Sequence, residues 1–202
     1  MAVSGAGRTR AVFLDKDGTL LEDVPYNVDP SLMKLAPGAW QALPRLHDAG
    51  FALAVVSNQS GVARGLFPVE ALDAVHRRLD ELVRLAGARL SGFYFCPHLP
   101  GAADPRYGVA CECRKPLPGL LLQGARDLAL DLGRSWMLGD ILDDVEAGNR
   151  AGCRSILVGI DHETEWVRTP ERRPWGEAPD LATAADMVLS ADRAALGEGR
   201  SA

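Results

Sequence analysis

The sequence predicts a doubly wound α/β fold: a mainly parallel sheet with helices on both faces. Three observations predict it. Short apolar or β-branched runs alternate with longer runs of helical period. One short run, "FALAVVSN" over 51–58, is apolar nearly throughout, as a strand covered on both faces must be. Acids, hydroxyls and cations gather directly after the short runs, at the edge where such sheets bind ligands.

The elements follow in order. "AVFL" at Ala11 to Leu14 is the first strand. A helix is expected from about Gly38 to Ala49, ended by Gly50, with Trp40, Leu43 and Leu46 on one side and Pro44 as a kink point. After the second strand, Pro68 suits the first turn of a helix carrying Val69, Leu72, Val75, Leu79, Leu82 and Val83. "FYFC" is the third strand. Residues 97–117 have no period and are rich in Pro, Gly and Cys. Pro118 opens the next helix, with Leu121, Leu122, Ala125 and Leu128 inward. "SWML" is the fourth strand, "DDVEAGNRAG" a short helix, "SILVG" the fifth strand and "LATAADMVL" the last helix. The reading is one domain over 11–191, with flexible ends at 1–10 and 192–202. The connection after the first strand is about two dozen residues, so no large cap domain is expected.

The bulk properties exclude several classes. With 202 residues the chain can bury a full core, and 47% hydrophobic against 24% charged residues reads as a soluble globular protein. A net charge of −5 gives no general attraction to nucleic acid or to an anionic membrane. No apolar run approaches the ~18 residues of a membrane span, and no signal-peptide core follows the first arginines. A cytoplasmic location is the expectation. No long apolar surface helix stands out, which favours a monomer.

The strand ends carry chemistry. After the first strand come Asp15, Asp17, Gly18 and Thr19; after the second, Ser57, Asn58, Gln59, Ser60 and Gly61. The cysteine loop after the third leaves through Arg114 and Lys115, and after the fourth come Gly139, Asp140, Asp143 and Asp144. Each piece alone suits a cap or a turn. Together they suit phosphoryl transfer. Asp15 and Asp140 can share a Mg²⁺ ion, a hard cation that takes oxygen ligands and offsets phosphate charge beside carboxylates. One carboxylate then attacks phosphorus, and Asp17 protonates the leaving oxygen and later activates water. Ser57, backbone N–H groups and Lys115 hold the phosphate oxygens as charge shifts.

Cys96-x-His98 and Cys111-x-Cys113 supply three sulfurs and an imidazole, enough for a closed tetrahedral Zn²⁺ site that would fold the aperiodic loop. The alternative is a reduced, metal-free loop. Cys153, in "AGC", reads as a small core residue. His47, His76 and His162 are isolated and read as surface or capping residues. Trp166 and Trp175 either cover a core edge or line an entrance.

With these residues assembled, the chain resembles the haloacid dehalogenase superfamily. "DKDGTL" matches the first motif, Ser57 the second, Lys115 the third and "GDILDD" the acidic fourth. Within it, "FLDKDGTL", "SNQSGVARG", "CPH" and "CECRKP" resemble the group of heptose-bisphosphate and histidinol-phosphate phosphatases, and the heptose enzymes more. The resemblance implies a nucleophile at Asp15 and an acid/base at Asp17. It implies Mg²⁺ on Asp15, the Asp17 backbone carbonyl and Asp140. Ser57 and Lys115 would steady the phosphoryl group, Arg114 would help choose the substrate, and Asp23 to Tyr26 with Ser57, Asn58, Gln59 and Ser60 would line a sugar site. The implied reaction is removal of the 7-phosphate of D-glycero-D-manno-heptose 1,7-bisphosphate. Histidinol phosphate or another small phosphomonoester is the alternative substrate, and a non-catalytic zinc-loop binding module is the alternative class. One departure stands out: the heptose enzymes commonly carry Lys straight after the metal aspartate, where this chain has Ile141. The sequence leaves open whether Asp143 or Asp144 supports the metal site.

Overall fold

A computed structural model describes residues 9–159 and 167–198. Its frame is one six-stranded, all-parallel sheet with strand order β3-β2-β1-β4-β5-β6. The strands are β1 (Ala11–Leu14), β2 (Ala52–Asn58), β3 (Leu90–Cys96), β4 (Trp136–Gly139), β5 (Arg154–Val158) and β6 (Gly176–Ala178). The helices are α1 (Ala39–Asp48), α2 (Ala71–Leu85), α3 (Gly119–Asp127), α4 (Leu142–Ala151) and α5 (Leu181–Glu198).

The period-2 geometry of β1 divides the core. Val12 and Leu14 face the larger apolar cluster, built with α1, α2 and α5. Ala11 and Phe13 face the opposite cluster, with Leu120 and Leu121 of α3 and Ala147 and Ala151 of α4. Both sheet faces are thus covered, which is why β1 and the middle of β2 are fully buried. Cys153 lies in this second cluster, and burial pushes its thiol up to about 12. No helix among the described residues is long and apolar enough to cross a membrane.

Several local expectations shift. Trp40 is 49% exposed, because Ala39, Ala42, Leu43 and Leu46 take the inward face of α1 and Trp40 falls to its flank. The helix runs through Pro44 without a break. Pro68 lies in a turn before α2, which starts at Ala71, and its carbonyl accepts from the Ala71 N–H at 3.1 Å. In α3 the inward face is Leu120, Leu121 and Gly124, and Leu122 is exposed. Gly124 approaches closely enough that a Cβ there would stand 3.0 Å from the Phe13 ring and 3.2 Å from the Tyr94 ring, so this face of α3 packs tightly on the sheet. The sixth strand, only three residues long, carries too little pattern to be read from sequence. Just before it, Trp175 packs edge-on against Trp136 with centroids 4.9 Å apart, which settles its role as cover for a core edge. The last helix continues past Asp192 to Glu198, and Arg10 bonds to Asp192 at 3.0 Å. His162 and Trp166 lie outside the described residues.

The connection from β1 to α1 forms a short flap. An isolated bridge joins Leu21 to Leu35, and the Glu22 N–H donates to the Lys34 carbonyl at 3.0 Å.

Candidate active site

Strand order explains why distant acids meet. β1 pairs with β2 on one side and β4 on the other, so the order reverses there and a crevice opens beyond the strand ends. Leu14 is in register with Leu138, and the Asp15 N–H donates to the Leu138 carbonyl at 2.9 Å. Asp15 and Asp140 therefore leave neighbouring strands side by side. Asp144, one helical turn into α4, joins them, and carboxylate oxygens of all three lie within 4.8 Å of one another.

Lys115 is threaded into this cluster. Its buried Nζ contacts the Asp15 carboxylate, stands 2.5 Å from Asp144 Oδ1, and donates to the Val56 carbonyl at 3.0 Å. Burial pulls its pKa down, but Asp144 and Asp15 outweigh that and hold it above the ordinary lysine value. Thr19, also buried, donates its hydroxyl to Asp140 Oδ1 at 3.2 Å. Gly139 makes the crossing possible, since a Cβ there would sit 2.2–2.4 Å from the Asp144 side chain.

Three buried carboxylates against one ammonium leave a surplus of negative charge. Burial, then Asp15 and Asp144, push Asp140 up to about 8; burial, opposed by Lys115 and helped by Asp15, pushes Asp144 up to about 7. Protonation is one way to relieve such a cluster, and a divalent cation is the other. The donor atoms are hard oxygens, which suits Mg²⁺. Asp143 and Asp144 separate cleanly: Asp144 faces the cluster, whereas Asp143 turns outward to Arg172 at 2.8 Å.

The Asp17 side chain stands apart from the three-acid cluster. Its Oδ1 accepts from Lys16 Nζ at 2.7 Å and its Oδ2 from Gln59 Nε2 at 3.4 Å. Burial, opposed by Lys16 and helped by Asp15, raises its pKa. Gln59 Nε2 also donates to Ser57 Oγ at 2.8 Å. Asn58 clamps the next segment: its Nδ2 donates to the Lys115 carbonyl and its Oδ1 accepts from the Lys115 N–H, both at 3.0 Å.

A cavity of about 420 Å³ opens over these groups, lined by Asp15, Asp17, Asp23, Ser57, Asn58, Lys115, Asp140 and Ile141. Tyr26 is half-exposed with φ 55°, and the Arg64 guanidinium lies 5.8 Å from its ring centre. The Ser60 carbonyl accepts from the Arg64 N–H at 3.0 Å. Arg114 directs a guanidinium N–H to the His98 carbonyl at 3.2 Å. Sequence reasoning named Thr19 at the strand end without giving it a role, and did not single out Lys16 or Arg64. The signal for Lys16 and Thr19 was available, because both lie inside "DKDGT" between or just after the paired acids.

The cysteine loop gathers as its spacing suggests. Cys96 Sγ stands 3.0 Å from Cys113 Sγ, 3.6 Å from Cys111 Sγ and 3.5 Å from His98 Nδ1. Cys113 Sγ lies 3.3 Å from both Cys111 Sγ and His98 Nδ1. A tetrahedron with Zn–S bonds of about 2.3 Å has edges of about 3.8 Å, so four ligand atoms this close frame one ion. All three cysteines are free thiols. Burial and the Cys113 contact push the Cys96 thiol well above its ordinary value, a strain that a cation would relieve.

Comparison with known proteins decides the family. A family model described as HAD-hydrolase-like matches residues 112–184. The D-glycero-beta-D-manno-heptose-1,7-bisphosphate 7-phosphatase of Photorhabdus laumondii is 40% identical over 141 residues, which are 70% of this chain and 75% of that protein. The chain belongs to the heptose-bisphosphate phosphatase family of HAD-like hydrolases. A second family member, the D-glycero-D-manno-heptose-1,7-bisphosphate 7-phosphatase of Thermosynechococcus vestitus, is 40% identical over 190 residues, covering 89% of this chain and 95% of that one. Among solved structures, the D,D-heptose 1,7-bisphosphate phosphatase from B. bronchiseptica, complexed with magnesium and phosphate, superposes with a TM-score of 0.73 at 32% identity. That match covers 90% of this chain and 98% of the other. The family fold is thus the parallel sheet expected from the alternation of strands and helices.

Proposed function

We propose that this chain is a Mg²⁺-dependent phosphomonoesterase that removes the 7-phosphate of D-glycero-D-manno-heptose 1,7-bisphosphate. The observation that carries the reading is the cluster of Asp15, Asp140 and Asp144 around Lys115 at the sheet's reversal point, with Asp17 held separately beside it. The names of the relatives point to the heptose substrate.

Asp15, the Asp17 backbone carbonyl and Asp140 would hold the Mg²⁺, with Asp144 beside them; the bound ion would neutralise phosphate charge next to the acids. Asp15 attacks phosphorus through a carboxylate oxygen and becomes an aspartyl phosphate as the P–O bond to the sugar breaks. Asp17 delivers its proton to the departing sugar oxygen; its raised pKa keeps that proton available. Asp17, now a carboxylate, takes a proton from water, which attacks the same phosphorus and releases Asp15 and inorganic phosphate. Lys115 and Ser57 steady the phosphoryl oxygens, and the backbone clamp from Asn58 keeps Lys115 in line.

Cys96, His98, Cys111 and Cys113 would hold a structural Zn²⁺ with no open position. Arg114, the segment 23–26 and Ser57, Asn58 and Ser60 are the proposed substrate contacts; Gln59, between them in sequence, turns its amide to Ser57 and Asp17 instead. The protein acts as a single-domain monomer.

The test is phosphate release from a panel: both anomers of the heptose bisphosphate, histidinol phosphate and a simple alkyl phosphate, with Mg²⁺ and with chelator. The expected result is preference for a heptose bisphosphate, loss on chelation, and a loss of at least about a thousandfold in Asp15→Asn. Equal release by wild type and Asp15→Asn would overturn the mechanism. Preference for histidinol phosphate would overturn the substrate.

A further inference from the structure

Gln59 stands out once the site is assembled. It is a long polar side chain, 4% exposed, held at its backbone and at its terminal amide. Its backbone N–H donates to the Cys96 carbonyl at 2.8 Å, and its own carbonyl accepts from the Val62 N–H at 3.2 Å. From that fixed backbone the amide reaches two groups at once. One Nε2 donates to Ser57 Oγ at 2.8 Å and to Asp17 Oδ2 at 3.4 Å. A primary amide has two N–H bonds, so each contact can use its own hydrogen.

This arrangement does what Lys16 alone cannot. The Lys16 ammonium holds Asp17 Oδ1 at 2.7 Å, and a carboxyl group held by one oxygen can still turn about that contact. A second donor on Oδ2 fixes the carboxyl plane. The donor arrives from a different strand end, so the acid after β1 is aimed by a residue after β2. The resemblance places Gln59 in the sugar site, but its amide nitrogen is directed at Ser57 and Asp17, and the cavity over the acids is lined by Ser57 and Asn58 rather than by Gln59.

We propose that Gln59 is a positioning residue that aims the Asp17 carboxyl at the departing oxygen while bracing the Ser57 hydroxyl. The inference rests on the phosphatase reading above. Its signature is dependence on the leaving group. A sugar alkoxide needs a proton to depart, whereas p-nitrophenolate does not, so kcat/KM for p-nitrophenyl phosphate is nearly blind to how Asp17 is aimed.

The test compares Gln59→Met, which keeps length and loses the donor, with Gln59→Glu, which keeps shape and replaces the donor by an acceptor. Each is assayed on the heptose bisphosphate and on p-nitrophenyl phosphate, alone and combined with Asp17→Asn. Wild-type turnover that is lost in Asp15→Asn comes first; its absence sinks the phosphatase reading itself, before Gln59 is judged. The expected result for both Gln59 variants is a fall in kcat/KM of about 30-fold on the sugar phosphate, mainly in kcat, against about threefold on the aryl phosphate. In the Asp17→Asn background the extra loss on the sugar phosphate shrinks to that same threefold. Equal losses on the two substrates, or full additivity with Asp17→Asn, would overturn the proposal, as would wild-type rates. Should Gln59→Met fold poorly by its melting temperature, Gln59→Glu carries the same comparison.

Discussion

Stripped of divalent metal, the protein should lose stability as pH rises from about 5.5 to 8. The cause is the buried acid cluster. Asp140 is raised from 3.8 to about 8 and Asp144 from 3.8 to about 7, in both cases chiefly by burial. Over this range the unfolded chain has already released these protons while the folded chain retains them. The folded state therefore binds more protons, so the unfolding free energy falls with pH until the folded groups titrate, and levels off above about pH 8. Counting only one retained proton, from about pH 5.5 to the Asp144 value of about 7, already gives a loss of about 2 kcal/mol. For a chain of this size that lowers the melting temperature by about 4–8 °C. The assay is thermal unfolding in chelator at constant ionic strength, repeated with saturating Mg²⁺ and with Asp140→Asn. Mg²⁺ should restore more stability at about pH 8 than at about pH 6, because at the lower pH it must displace protons. Asp140→Asn should flatten the metal-free slope. A metal-free melting temperature that stays level or rises over this range, with the same trend in Asp140→Asn, would refute the argument.

Two further outcomes follow from packing and ligation. Gly139→Ala puts a methyl group 2.2–2.4 Å from the Asp144 side chain, so Asp144 must move from Lys115; a loss of about 1–3 kcal/mol, seen as a lowered melting temperature, should accompany a fall in Mg²⁺-dependent phosphate release. Cys113→Ser should reduce zinc content from one equivalent per chain to near zero by elemental analysis, whereas Asp15→Asn keeps its zinc.

Much of this site was legible in the chain because parallel sheets impose an order on it. Asp15 and Asp140 each follow a strand and Ser57 is the penultimate residue of β2, so strand register brings all three to one edge. Lys115 was legible through the loop that delivers it. The direction of side chains was less so. Asp143 and Asp144 are neighbours with one chemistry, and α4 buries most of its circumference, so apolar period does not say which acid points inward. The deciding feature is the missing side chain at Gly139, visible only in three dimensions. Asn58 and Gln59 likewise read as polar lining of a pocket. In the fold they brace Lys115, Ser57 and Asp17, because the end of β2 is crowded by the chain leaving the cysteine loop.

That crowding links the two clusters. Asn58 and Cys96 are partners in the β2–β3 register, so the first cysteine of the Cys/His cluster sits opposite the residue that clamps Lys115. The loop then returns through Cys113 to Arg114 and Lys115. The Cys96 carbonyl accepts from Gln59 and the His98 carbonyl from Arg114, so two residues of the Cys/His cluster each hold one group of the site by their backbones. A closed metal centre here would act on the reaction without touching the substrate. It would fix where Lys115 enters a nest of three carboxylates, and an ammonium that entered elsewhere would leave those charges unbalanced in a buried place. The acid cluster needs a cation delivered at one point, and a long aperiodic loop cannot deliver it without a fastening of its own.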